Sequence, residues 1–394
     1  MCPRRRRTSP PPASLPDDDD LLREILLRLP SRPSSLPRAS LVCKHWRRLV
    51  ADPQFQRCFR DHHGKPPLLG FFVNDVYRPS PFVPMLDRPD RIPGARFSMP
   101  LHKGNRIIDC RHGLVLLLSS RQKTGPPIRL FVWDPVAREQ RRVILPPELD
   151  RYHMFIFNGA VLRSARGHGH FQVALVAHYV LAGNPTRVFA CLYSSENGIW
   201  SNINSLQLQK FEATPEEPST LSGNSICWLN HVVGHDNSRR YVILELDLDR
   251  QSLAVTELPP QIEADYAYKL RIMPAEDGGL GFIVLSGLQL HAQLWKRKPD
   301  SDGLAVWVLD RTIEFKGLPS NREGYYLCLV GFAEESNAIL LKLGLCFFMV
   351  YLQSMELKKL SKMNFLGRHY PFEYCYAAGN SKPLYNFVRS IIKL

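Results

Sequence analysis

The chain has 394 residues, 51 Lys/Arg against 37 Asp/Glu, a formal net charge of +14, and 44% hydrophobic residues. That composition is ordinary for a globular protein and excludes a fibrous or wholly disordered chain, and the length leaves room for a small domain beside a large one. Residues 1–60 hold 13 Lys/Arg and six Asp/Glu, half of the net charge. No basic stripe interleaved with aromatics follows, so the balance does not point to a nucleic-acid partner.

Residues 1–14, MCPRRRRTSPPPAS, are low-complexity and read as a disordered basic, proline-rich tail. They lack the apolar core of a signal peptide. Leu22, Ile25, Leu26 and Leu29 then fall at i, i+3, i+4 and i+7, one face of a helix. Asp17 to Asp20 precede it, where carboxylates cap free N–H groups and oppose the helix dipole, and Pro30 and Pro33 end it. A second helical stretch is predicted from Ser34, with Ala39, Val42, Cys43, Trp46, Leu49 and Val50 recurring at steps of three and four. On this reading Cys43 packs on the apolar face beside Trp46. Asp52-Pro53 stops that stretch and starts a third, because Asp caps and Pro suits a first helical position; Phe55, Cys58 and Phe59 form its face. A segment of about 50 residues buries too little surface to be stable with that many apolar residues left over, so these faces are expected to continue into a partner.

The segment resembles an F-box. The resemblance is carried by Leu15-Pro16, Leu22, Glu24-Ile25-Leu26, Arg28-Leu29-Pro30, Ala39-Ser40-Leu41-Val42-Cys43-Lys44, Trp46-Arg47, and Asp52-Pro53 with Phe55. It departs from the family pattern in placing four aspartates between the Leu-Pro pair and the leucine-rich helix. The resemblance implies docking onto the Skp-type adaptor of a cullin-based (SCF) ubiquitin ligase. The residues expected to meet the adaptor, or to support that surface, are Leu15, Pro16, Ile25, Leu26, Leu29, Pro30, Val42, Cys43 and Trp46.

After the linker at 63–67 the texture changes to short runs rich in Val, Ile, Leu, Phe and Tyr, separated by Gly, Pro, Asn and Asp. These are strands and turns. A loose repeat of strand, polar hairpin tip and strand recurs, with Trp133, Tyr193, Leu246, Trp295 and Tyr351 in equivalent places. Their spacings are 60, 53, 49 and 56 residues, near the period of a propeller blade. LLGFFVNDVY at 68–77 opens a sixth unit on this reading; the blade number stays open, and a β-sandwich is the other solution. This part resembles the associated domains of plant F-box proteins, which are similar to kelch propellers. The matching residues are Cys110-Arg111-His112-Gly113-Leu114, Val132-Trp133-Asp134-Pro135 with Leu145-Pro146, and Ser194 to Trp200. The expected organisation is thus α + β and multidomain: tail 1–14, helical F-box 15–62, linker 63–67, and a mainly-β, propeller-like recognition domain over 68–394.

Nine cysteines are scattered, with no two within three residues, so neither a disulfide framework nor a zinc knuckle is expected. The longest apolar stretch, Ala338 to Leu352, is too short to span a bilayer and contains Lys342. An intracellular compartment, cytoplasm or nucleus, fits both observations. His168, His170 and His178 lack a neighbouring Cys or carboxylate, and Asp277-Gly278-Gly279-Leu280-Gly281 lacks the Lys-Ser/Thr of a phosphate loop and reads as a turn before a strand. No catalytic residue, metal or cofactor is expected. The leading expectation is a non-catalytic receptor that holds an unnamed target protein; the others are a scaffold or transcriptional regulator that binds the adaptor without degradation, and a propeller enzyme or sugar-binding module fused to an F-box.

Overall fold

The computed structural model describes residues 19–74, 82–97, 105–119, 128–149, 154–163, 169–179, 186–201, 204–208, 211–213, 217–233, 239–262, 269–286, 290–302, 305–319, 325–360 and 367–375. The tail at 1–14, the Leu15-Pro16 pair and His168 lie outside them. Two compact units are present, one of helices up to Pro66 joined by Cys375, the other running from Pro67 to Tyr374.

The helical unit contains α1 (Asp19–Leu27), α2 (Ser35–Ala39), α3 (Lys44–Ala51) and α4 (Pro53–His63). Leu26, Leu36, Leu49, Val50, Phe55 and Phe59 make its core together with Cys375. The second helical stretch is broken where the apolar spacing runs on unbroken. Leu41 and Val42 close i→i+3 turns onto Arg38 and Ala39, and Cys43 swings to an extended conformation at φ −159°, ψ 173°. Its thiol accepts the Trp46 N–H, so Cys43 is the N-cap of α3 and is exposed, not packed on a helix face. Asp52 caps α4 as expected, its carboxylate accepting from the N–H groups of Gln54 and Phe55. Cys58 is exposed, leaving Phe55 and Phe59 as the buried face of α4.

The second unit is a six-bladed β-propeller of antiparallel sheets. Blade 1 is Asn105–Arg111, Leu114–Ser119, Leu130–Asp134 and Glu139–Val143; blade 2 is Met154–Arg163, Phe171–Tyr179 and Thr186–Ser194, edged by Ile199–Trp200 and Asn204–Leu208. Blade 3 is Phe211–Glu212 and Thr220–Ser222 on one side of Ser225–Val233, then Arg239–Asp247 and Ser252–Glu257. Blade 4 is Leu270–Pro274, Leu280–Leu285, His291–Pro299 and Ala305–Glu314; blade 5 is Leu327–Ala333, Ala338–Leu343, Cys346–Tyr351 and Glu356–Leu360. Blade 6 takes Leu68–Val73 and Phe82–Pro84 from the start of the unit and His369–Glu373 from its end. Pairing of Leu68–Val73 with His369–Glu373 closes the ring with hydrogen bonds between its two chain ends, leaving each blade only short inner edges.

The residues aligned by the repeat all fall on the third strand of their blades. Trp133, Tyr193 and Leu246 each sit one residue before the hairpin to the outer strand, whereas Tyr351 is one residue further along and Trp295 lies mid-strand. Four of these hairpins share one turn. Asp134 pairs with Glu139, Ser194 with Ile199, Asp247 with Ser252 and Tyr351 with Glu356. In each turn the fourth residue is left-handed: Arg138 (φ 61°), Gly198 (φ 73°), Gln251 (φ 49°) and Met355 (φ 56°). Asp134 and Asp247 carboxylates accept two turn N–H groups each, which is the local stabilisation that lets a non-glycine residue take that conformation. Asp277 likewise accepts the Gly279 N–H in the turn before Leu280–Leu285, as its sequence implied.

The His112-Gly113 turn of blade 1 has both residues at positive φ, 53° and 74°, as a two-residue type I′ hairpin demands. A Cβ on Gly113 would lie 2.3 Å from the Tyr374 ring, so this glycine serves both the turn and a close approach. Indole donors tie blades together at their outer strands: Trp200 Nε1 bonds Ile144 O at 2.8 Å and Trp307 Nε1 bonds Glu257 O at 2.9 Å.

Candidate functional site

On the helical unit the apolar stripe divides into two populations. Leu26 is fully buried in the core, and Leu29 and Trp46 are half-buried against it. Ile25 is 46% exposed and Val42 63%, with Leu21 and Leu41 also exposed beside them in sequence. Pro30 and Cys43 are exposed as well. Leu21 and Ile25 are one turn apart on α1. Asp19 on α1 and His45 on α3 pair at 2.7 Å, holding together the two segments that carry these side chains. Leu21 was absent from the residues singled out in the sequence, although the stripe next to it was read; periodicity locates a stripe but not its uncovered edge. Isolated exposed apolar residues are normal, but four in two adjoining segments of so small a unit are a surface that association would cover.

The propeller buries a cluster of charged side chains at its centre. Neighbouring inner strands touch around the ring, and they bring in three buried arginines and three carboxylates. Arg111 donates from Nε and Nη2 to Glu334 at 3.0 and 2.8 Å, and from Nη1 to Ser219 Oγ at 2.9 Å and Asp109 at 3.3 Å. Asp109 also accepts the Val161 N–H of the next blade at 2.8 Å. Glu217 accepts from Arg271 at 3.2 Å and from Arg368, and its backbone carbonyl accepts from Asn158. Burial presses the Arg111 guanidinium toward neutrality, but Asp109 and Glu334 outweigh it and hold its pKa above the ordinary value. Arg271 is pulled below its ordinary value by burial, against the opposing pull of Glu217. Burial likewise raises Asp109, with Arg111 opposing. Each of these carboxylates is engaged by an arginine, so none is placed as a free general acid or base. Among the described residues, no group of three or more His, Cys, Asp or Glu is arranged to hold a metal. His170 lies in the turn before Phe171–Tyr179, and His178 stacks edge-on against Phe155 and Phe157.

Three titrating groups beside this network give opposite pH dependences. His112 and His369 are held down to about 4, each by burial first, with Arg111 adding to the effect at His112. A histidine kept neutral by the fold contributes stability that is present above its ordinary 6.5 and is lost as pH falls toward about 4. Glu373 is pushed up to about 7 by burial, although Ser336 and Glu335 donate three hydrogen bonds to it. A raised carboxylic acid contributes stability that is present below 4.5 and is lost as pH rises through about 7. Urea unfolding from pH 4 to 8 should therefore show stability rising over the histidine window, with the rise blunted by Glu373. Glu373→Gln should gain on the natural chain as pH rises from 5 to 8; a stability difference that does not change with pH would refute this assignment.

The class follows from comparison with known proteins: residues 13–57 match the F-box domain, and the fold places a six-bladed propeller after it. Residues 106–376 match the family described as F-box protein AT5G49610-like, beta-propeller, and the chain belongs to that family. F-box domains generally bind Skp-type adaptors, and an F-box followed by a propeller is a receptor-like architecture. No curated protein matches the chain. Solved structures that resemble it include the GH93 α-L-arabinofuranosidase of Fusarium graminearum in complex with arabinobiose, at 11% identity and a TM-score of 0.39, covering 67% of this chain and 82% of that one. A puromycin-hydrolyzing peptidase of Mycobacterium tuberculosis resembles it at 12% identity and a TM-score of 0.34, covering 66% of this chain and 39% of that one. Among the described residues, no helix is long and apolar enough to cross a membrane.

Proposed function

We propose that the chain is the substrate-recognition subunit of an SCF-type ubiquitin ligase, working in the cytoplasm or nucleus. Its helical unit docks a Skp-type adaptor and through it a cullin, and its propeller holds a target protein. The observation that carries this reading is the exposed apolar set Leu21, Ile25, Leu41 and Val42 on a unit that matches the F-box. The chain itself supplies no chemistry in this scheme. It raises the effective concentration of a target beside a charged ubiquitin carried by another subunit, so transfer becomes frequent without a new active site. The neutralised carboxylates at the centre of the propeller agree with a binding role.

The test is affinity purification of the full chain from its source cells with the proteasome blocked. Skp-type and cullin subunits are expected in the eluate, along with a ubiquitin-modified companion that accumulates under the block. An eluate free of the adaptor would sink the reading, and adaptor without any ubiquitin-modified companion would shift it to a scaffold that does not promote degradation.

A further inference from the structure

In a propeller the inner strands all begin at one mouth and end at the other. Both chain ends of this propeller belong to the second mouth: Leu68–Val73 starts there, His369–Glu373 finishes there, and the Tyr374 N–H bonds Pro67 O at 3.2 Å.

The two mouths differ in charge. Turns at the second mouth carry Asp249, Glu276, Asp277, Asp300, Asp302 and Glu335 against Arg138 and Arg250. At the first mouth, Arg106, Lys269 and Arg368 stand at or just before the start of three inner strands. Of the described carboxylates at that level, Glu217 is buried and engaged by Arg271 and Arg368, Glu212 pairs with Arg239, and Glu314 lies out on the outer strand of blade 4. Lys342 adds a fourth cation, directly across from Cys328 near the start of the blade 5 inner strand. Cys328 reports the same imbalance: burial pushes its thiol up, and the charges acting on it are all cationic, Lys342, Arg368 and Lys269.

Apolar surface accompanies these cations. Tyr325 and Tyr326 immediately precede the inner strand of blade 5 and are exposed, Tyr326 by 58%. Leu345, in the hairpin beside them, is 71% exposed, and the Tyr325 ring packs close to Gly344 of that hairpin. Aromatic and aliphatic side chains of this size set beside lysines form a contact surface with an apolar centre and a charged rim.

We propose that this first mouth, centred on Tyr325, Tyr326, Leu345, Lys269 and Lys342, docks an extended acidic segment of the target protein, one that alternates carboxylates with apolar side chains. The proposal rests on the receptor reading above and names the chemistry of what the receptor holds. Carboxylates of the segment meet Lys269 and Lys342, its apolar side chains cover the tyrosines and Leu345, and the acidic second mouth repels it.

The test uses the full chain and a short fluorescein-labelled peptide of alternating glutamate and leucine, read by fluorescence anisotropy. Binding is expected, weakening as salt rises, and Lys342→Glu and Lys269→Glu should each weaken it by about tenfold or more. Lys358→Glu, on the outer strand of blade 5, should leave it unchanged. Thermal unfolding of each variant separates lost contacts from lost fold, and either lysine variant alone suffices. Equal binding of a lysine-leucine peptide, tighter binding of single-stranded oligouridine, no binding of the acidic peptide, or an equal loss with Lys358→Glu would each overturn the proposal. Adaptor capture, measured on the same variants, keeps the two readings apart. If it persists while the peptide fails, only the mouth assignment falls; if it fails while the peptide binds, the receptor reading falls and the acidic-segment site stands.

Discussion

Glu217→Ala is expected to destabilise the full chain by about 3–5 kcal/mol, because it strips the partner from a buried ion pair and leaves uncompensated charge behind. Glu217 is 2% exposed and sits between Arg271 and Arg368, each only 5% exposed. A pair on the surface would be worth little, since water replaces the missing partner. Here the two guanidinium groups come from the inner strand of blade 4 and from the residue just before the inner strand of blade 6, and both are buried. The variant also puts at risk the bond from Asn158 to the Glu217 carbonyl, which ties blade 2 to blade 3. Glu217→Gln should be milder, since it keeps an acceptor oxygen and the volume. The urea midpoint, followed by circular dichroism and by tryptophan fluorescence, measures the effect; two probes are needed because a ring of six blades need not unfold in one step. A midpoint unchanged in Glu217→Ala would mean that the centre is hydrated and the network incidental.

That network also shows where reading the sequence stops. The outer parts of the blades are local: Asp134 and Arg138, or Asp247 and Gln251, lie within one turn, and the strand pairs they join are adjacent in sequence. Such features repeat along the chain and are legible as a period. The central ion pairs are not local, since Arg111 and Glu334 are separated by 223 positions. Each looks in isolation like an ordinary surface charge, and only closure of the ring buries it. Closure itself is equally hidden. Its last strand, His369–Glu373, is five residues long and contains Pro371, and it pairs with residues near the start of the unit. The sixth blade was therefore visible from one side only, as an apolar run at 68–77.

In the helical unit the limit is of another kind. The apolar spacing through Ala39, Val42, Cys43 and Trp46 continues across a break in the helix, because a turn and an N-cap happen to preserve the step of three and four. The pattern gave the faces but not the break, and it is the break that lifts Val42 out of the core and exposes it. Leu26 and Ile25 show the same limit from the other side: neighbours in one stripe, one is fully buried and the other half open.

That division supports the second large expectation. Ile25→Asp combined with Val42→Asp should abolish capture of the Skp-type adaptor, weakening it by about a hundredfold or more, while leaving the fold of the chain unchanged within about 0.5 kcal/mol. Both side chains are exposed in the free chain, so a carboxylate there stays hydrated and costs the fold little. In a complex the same carboxylate would have to be desolvated against apolar surface without a partner, which costs several times a typical contact. Leu26→Ala should do the reverse. It removes a fully buried side chain and is expected to cost about 2–5 kcal/mol of stability, with capture falling only as far as unfolding takes it. Capture by immobilised adaptor and thermal unfolding, measured on the same three proteins, separate surface from core. Should the double aspartate variant still be captured at full strength, the adaptor must lie on some other face of the helices, and the exposed apolar set would need a different occupant.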